Sequence, residues 1–301
     1  MEHNLGTYKG NPLLKKMNQN IDWTEHMVSE YIKCSEDPVY FINNYMKIIN
    51  LDEGLISFKL YDYQIEMVES FKNNRNTFCV LSRQSGKSST TCGFILWYVI
   101  FNEDKLVALM ANKGDTAREI LGRVQLAYQH LPKWLQQGVG EWNKGSMLLE
   151  NRSRVIAAAT SASAIRGYSV NLLYIDELSF VENWDEFYTS VFPTITSGKD
   201  TKIIFTTTPR GLNHAYSFWV NAIEGRNGFN PIMVRWDRVP GRDEKWKQQT
   251  LAGMNFDLEK FSQEMECVSG DTVVTIRDKE TKKVETLTIE ELARRCEFLG
   301  V

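Results

Sequence analysis

Apolar residues in this chain gather into short unbroken runs instead of alternating with polar ones. Thr77–Leu81, Lys105–Met110, Leu172–Ile175 and Lys202–Thr206 are each of strand length and almost free of charge. Strands of this kind are covered on both faces, as in a parallel sheet. Helical spacing follows three of them, over Gly86–Phe101, Asp115–His130 and Trp184–Val191. The alternation predicts an α/β fold with a mostly parallel sheet flanked by helices. Met147–Glu150 and Arg154–Ala158 read instead as a hairpin turning at Asn151-Arg152-Ser153. Residues 1–50 predict a small helical lead-in, patterned from Trp23 to Tyr31 and from Pro38 to Ile48.

Composition narrows the class without naming a function. With 301 residues, 43% hydrophobic and 24% charged, the chain can bury a sizeable core. A net charge of −3 gives no global attraction to nucleic acid or membrane, so any DNA contact must come from a local patch. The longest apolar run, Phe94–Phe101, is too short to span a bilayer and reads as a buried helix. The polar N-terminus predicts no secretory signal. Cysteines 34, 79, 92, 267 and 296 follow no zinc or disulfide spacing, and the four histidines are dispersed. Cys79 and Cys92 sit in apolar runs as small core residues, and a reducing cytoplasm is the expected setting.

Candidate chemistry begins where the first strand ends. Ser82-Arg83-Gln84-Ser85-Gly86-Lys87-Ser88-Ser89 is a small polar loop running into a helix. In such a loop backbone N–H groups converge on an anion, Lys87 adds a point charge and Ser88 offers a hydroxyl to Mg²⁺. The usual phosphate-loop pattern wants a glycine where Leu81 stands. An exposed basic turn capping a helix would carry the same Gly-Lys-Ser. Arg83, however, would repel Lys87 unless an anion lay between them.

Further along, Val170–Ile175 is apolar throughout except Asn171 and ends in Asp176-Glu177. A buried parallel strand delivers acids in this way to the sheet edge where ligands sit. Asp176 would hold the metal, and Glu177 would orient and deprotonate an attacking water. The same pair could simply cap the next helix. Upstream, Gln64 is placed to meet an adenine edge and Tyr61 or Tyr63 to stack on the ring, although aromatic packing of a helix on the sheet serves the tyrosines equally. Thr206-Thr207-Thr208 leaves the next strand where hydroxyls could sense a γ-phosphate.

Taken in order, Tyr61–Gln64, Ser82–Ser88, Ala164-Ile165-Arg166-Gly167, Tyr174–Glu177 and Thr206–Pro209 resemble the ATPase half of the large terminase subunit of tailed bacteriophages, over roughly residues 38–266. That family also lacks the first loop glycine and carries Ser-Arg-Gln before Gly-Lys. The resemblance implies a P-loop NTPase fold and ATP hydrolysis with Mg²⁺. It places Lys87 and Ser88 on phosphate and metal, Arg83 on the γ-phosphate, Asp176 on the metal and Glu177 as the catalytic carboxylate. Ser82, Gln84, Ser85, Gly86 and Ser89 complete the nucleotide loop, with Gln64 and Tyr61 at the adenine. Thr206–Thr208 would couple hydrolysis to movement, whereas Arg166 has no assigned role. Implied partners are double-stranded DNA, a portal and a small terminase subunit. A homo-oligomeric motor in the cytoplasm of the infected bacterial cell is expected, with no membrane.

The pattern breaks after Glu266. Cys267-Val268-Ser269-Gly270-Asp271-Thr272 and the β-rich run behind it resemble the start of an intein, whose leading thiol attacks the preceding carbonyl. The 35 residues 267–301 contain no histidine to activate that amide. The expectation is therefore a split intein segment, joined in trans to a polypeptide bearing the nuclease half. A decayed remnant, with Cys296-Glu297-Phe298-Leu299-Gly300 as resumed host sequence, is the other account. The predicted organisation is a lead-in over 1–50, an ATPase core over 51–225, a second subdomain over 226–266 and the intein segment over 267–301. A superfamily-2 helicase-like ATPase and an inert precursor serving only trans-splicing are the competing functions.

Overall fold

A computed structural model describes residues 6–161, 164–165, 167–196, 198–266, 273–277, 282–288 and 291. In chain order, β1 (Thr7–Tyr8) and β2 (Asn11–Lys15) precede α1 (Glu25–Glu36) and α2 (Pro38–Tyr45). β3 (Lys47–Asn50) and β4 (Gly54–Ser57) lead to α3 (Asp62–Asn73), β5 (Asn76–Leu81), α4 (Lys87–Phe101), β6 (Leu106–Ala111) and α5 (Gly114–Gln129). Next come β7 (Val139–Trp142), β8 (Ser146–Leu149), β9 (Arg154–Ala159), β10 (Leu172–Ile175), α6 (Trp184–Thr196), β11 (Lys202–Thr207) and α7 (His214–Ile223). β12 (Asn230–Val234), α8 (Glu244–Gly253), α9 (Leu258–Phe261), β13 (Val273–Arg277) and β14 (Val284–Thr288) complete the order.

Eight strands form one sheet in the order β12-β5-β11-β10-β6-β9-β8-β7, parallel from β12 to β9, with β8 and β7 added antiparallel. The apolar runs are its central strands, and successive residues serve opposite faces. Leu172 and Tyr174 pack into one core with Val107, Leu109, Cys79 and Leu81. Leu173 and Ile175 pack into the other with Ala108, Met110, Phe78 and Val80. Burial of both faces is why these strands do not alternate with polar residues. Cys79 and Cys92 are core residues as expected, and burial pushes the Cys92 thiol up to about 12.

α4 is apolar nearly all round because it lies between the sheet and the lead-in. Gly93 allows the close approach of α2: a Cβ there would stand 2.8 Å from Met46 Sδ. The lead-in is mixed, not wholly helical. α2 stops at Tyr45 because Met46 turns extended, at φ −80° and ψ 141°, and β3 then pairs with β4. α1 and α2 are tied together by Glu30, whose carboxylate accepts from Tyr45 Oη at 2.6 Å, Tyr40 Oη at 2.8 Å and Lys33 Nζ at 2.9 Å.

β12 gave no sequence signal. It is an edge strand carrying Pro231, a residue that ordinarily argues against a strand. It pairs with β5, so the main sheet extends past residue 225. Beyond it, Trp236, Leu251, Phe261 and Met265 form a separate small core, with Trp246 stacked on Trp236 at 5.8 Å. β13 and β14 pair antiparallel. Among the described residues no helix is long and apolar enough to cross a membrane.

Candidate functional site

Between β5 and α4 the chain makes a tight loop with two left-handed residues, Gln84 at φ 57° and Gly86 at φ 76°. Successive N–H groups in such a turn form an anion-binding concavity at a helix N-terminus. Glycine is needed at 86 on two counts, since a Cβ there would also lie 2.6 Å from Gln64 Nε2. The loop is braced from α3. Tyr63 Oη donates to the Ser85 carbonyl at 2.8 Å, and Gln64 Nε2 does so at 3.3 Å. Gln64 Oε1 also accepts from Tyr61 N at 3.0 Å, whereas the Tyr61 ring is exposed. Ser82 and Ser85 are buried, Ser88 and Ser89 half-buried, and Ser85 Oγ has no partner among the described residues.

β11 lies between the loop strand β5 and the acid-bearing β10, so its threonines face both. Lys87 Nζ meets Glu177 Oε1 at 2.6 Å and donates to Thr208 Oγ1 at 2.9 Å. Glu177 also accepts from Thr208 N at 3.1 Å. It adopts the left-handed region, at φ 55° and ψ 56°, which is uncommon for a residue with a Cβ and clusters at functional sites. Asp176, 6% exposed, accepts from Ser88 Oγ on Oδ2 at 3.2 Å. Thr206 Oγ1 and Tyr174 Oη each donate to its Oδ1 at 2.8 Å. Thr207 points the other way and accepts from Ser179 N at 3.1 Å.

Arg83 is placed differently. Its Nε pairs with Glu264 Oε2 at 2.6 Å, and its backbone N–H donates to the Glu264 carbonyl at 2.8 Å. Glu264 comes from the turn Ser262–Glu266 beside the small core. Arg166 and Cys267 lie outside the described residues.

Three residues at the site had no role in the sequence reading. Tyr174 was legible in principle, since residues two apart in a strand share a face and put it beside Asp176. Burial raises its phenol well above the ordinary tyrosine range, so it stays a donor. Glu264 and Arg242 had no local signal, because both reach the loop through tertiary folding.

Backbone donors, an ammonium, a hydroxyl and two carboxylates thus converge at the C-terminal ends of adjacent parallel strands. Sheet, loop and buried helix together define a P-loop NTPase fold. The chain belongs to the terminase large subunit family, T4likevirus-type N-terminal region, whose model matches residues 78–292. It is similar to tripartite terminase subunit 3 of equine herpesvirus 2 (strain 86/87), at 24% identity over 173 residues, covering 54% of this chain and 24% of that protein. The chain therefore spans about a quarter of that relative's length. Among solved structures it resembles the large terminase ATPase domain of Thermus phage P74-26, at 21% identity and TM-score 0.58, covering 70% of this chain and 95% of that one. The large terminase of bacteriophage HK97 aligns at 16% identity and TM-score 0.64, covering 80% of this chain and 56% of that one.

Proposed function

We propose that this chain binds and hydrolyses ATP, and that it is the ATPase part of a motor driving double-stranded DNA into a viral prohead. The observation that carries the reading is the meeting of Lys87, Ser88, Asp176, Glu177 and Thr208 around one point of the sheet edge. A phosphate seated on the loop N–H groups would take the Lys87 ammonium from Glu177. The freed carboxylate would accept a proton from the water attacking the γ-phosphorus, with Thr208 holding its orientation. Ser85, Gly86 and Ser89 line the cradle, and the Ser85 hydroxyl, without a partner among the described residues, fits an anion there. Tyr61 and Gln64 take the adenine end.

The donor set fits Mg²⁺: Ser88 and Asp176 offer hard oxygens, Tyr174 and Thr206 fill Asp176 Oδ1, and Oδ2, here bonded to Ser88 Oγ, is the oxygen that would share a metal with that hydroxyl. Bound there, Mg²⁺ would neutralise charge on the phosphate oxygens. Arg83 would exchange Glu264 for the γ-phosphate. β11 and the residue that follows it, bonded to both acids through Thr206 and Thr208 and to Ser179 through Thr207, would pass the change outward.

Family membership and the P74-26 ATPase domain support the motor reading. On it, the partners are DNA, a portal, a small terminase subunit and further copies of this chain, in the cytoplasm of the infected host. Phosphate release from Mg²⁺-ATP tests the core of the proposal. A purified chain that neither binds nor hydrolyses ATP would overturn it.

We further propose that Cys267 opens an intein segment. The Cys267-Val268-Ser269-Gly270-Asp271-Thr272 run and the β13–β14 pair favour this. The thiolate would attack the Glu266 carbonyl carbon, forming a C–S bond as the C–N bond breaks and the Cys267 nitrogen takes a proton. Mixing with a matching C-terminal intein piece should give a ligated mass that Cys267→Ala abolishes. Absence of that product would refute the assignment.

A further inference from the structure

Besides the Glu264 contacts with Arg83, the segment around the small core reaches the phosphate loop through the guanidinium of Arg242. Arg242 Nη1 donates to Ser82 Oγ at 3.2 Å, and Nη2 donates to the carbonyls of Arg83 at 3.0 Å and Gln84 at 2.9 Å. The group lies over the Trp246 ring, 4.7 Å from its centroid. Its backbone is held too: Arg242 N donates to Val239 O at 3.1 Å, and Asp243 caps α8 through Trp246 N at 2.8 Å. One side chain therefore grips three acceptors of a loop on another part of the chain.

In a trans peptide the carbonyl and the N–H of one unit point in opposite directions. The Arg83 carbonyl shares its unit with the Gln84 N–H, and the Gln84 carbonyl with the Ser85 N–H. With both carbonyls drawn to Arg242, those two N–H groups are aimed to the opposite side of the loop. The two preceding N–H groups are already used, Ser82 N on Val234 O at 2.9 Å and Arg83 N on Glu264 O at 2.8 Å. Neither Gln84 N nor Ser85 N finds an acceptor among the described residues.

We propose that Arg242 is a positioning residue for phosphate binding: by holding the Arg83 and Gln84 carbonyls from outside, it presets the Gln84 and Ser85 N–H groups as anion donors. The inference rests on the ATP-binding reading above. It makes polyphosphate affinity depend on the small core, although Arg242 itself need not touch the ligand. Arginine is required because three acceptors need a planar fork of donors, which a lysine cannot supply.

The test is calorimetric binding of ATP, ADP and pyrophosphate to the full chain and to R242A and R242K, with melting temperatures recorded beside it. Wild-type chain that binds none of the three overturns the ATP reading itself and not this inference alone. If it binds, R242A should lose about ten- to a hundredfold in affinity for all three, the scale of hydrogen bonds from a charged donor. KM for ATP should rise in step while kcat at saturation changes less than about twofold. R242K should be impaired nearly as much although its charge is kept. Wild-type affinity in R242A, or full rescue by R242K, would overturn the proposal. Should R242A not fold, R242K alone decides by the same criterion.

Discussion

Lys87 and Glu177 meet at 2.6 Å, an ammonium from the first turn of α4 and a carboxylate just past the end of β10, with Thr208, just past the end of the intervening β11, bonded to both. The pair makes each group's availability depend on the other. Glu177→Gln should therefore bind ATP at least as tightly as wild type, because the amide competes less for Lys87. Hydrolysis should fall by about a hundredfold or more with the base removed. Nucleotide titration and phosphate release on the same preparation check both halves.

The Arg83–Glu264 pair likewise holds a cation away from phosphate, without supplying the base. Its arginine is half exposed, so the pair contributes at most about 1 kcal/mol. Glu264→Gln should free Arg83 and lower KM for ATP by about two- to fivefold, measured at low salt. An unchanged or raised KM would mean that Arg83 has no part in phosphate binding.

Tyr174→Phe removes one of the two hydroxyls on Asp176 Oδ1 and keeps the buried ring. It should cost about 1 kcal/mol of stability, the net worth of one hydrogen bond. It should also raise the Mg²⁺ concentration for half-maximal hydrolysis, since Thr206 alone then orients the carboxylate. Urea unfolding and a Mg²⁺ titration report the two effects.

Phe205 is fully buried in the aromatic cluster with Phe78, Trp184, Phe218 and Phe229. Phe205→Ala should destabilise the domain by about 3–5 kcal/mol through lost burial and the cavity left behind. Urea unfolding should show this as a lower midpoint with little change in slope.

Glu30 gives the lead-in a pH signature. Hydrogen bonds from Tyr45, then Lys33 and Tyr40, hold its carboxyl down at about 2 against an ordinary 4.5. A lowered folded pKa stabilises above the unfolded value, and the contribution is lost as pH falls toward the folded one. The stability gap between wild type and Glu30→Gln should be flat above about pH 5 and close between 4.5 and 2. Equilibrium unfolding across that range measures it.

Much of the fold was legible because burial writes a local period. Continuous apolar runs marked β5, β6, β10 and β11, and helical spacing marked α4 and α5 to within a residue or two. The loop and the acid pair were legible for a related reason, since each follows its own strand directly. What stayed hidden was short, at an edge or half-exposed: β12 with its proline, β7, and the β3–β4 pair inside the lead-in.

By itself, then, the amino-acid sequence determined the order of strands and helices and the kinds of chemical group at each strand end. Those depend on neighbours within a few residues. Only the tertiary structure decided that β11 lies between β5 and β10, which joins Lys87, Glu177 and Thr208. It alone turned Arg83 to Glu264 and laid Arg242 across the back of the loop. Lateral strand order and contacts between remote segments are set by how two cores pack on one sheet. That packing is a property of the whole chain and has no local period to read.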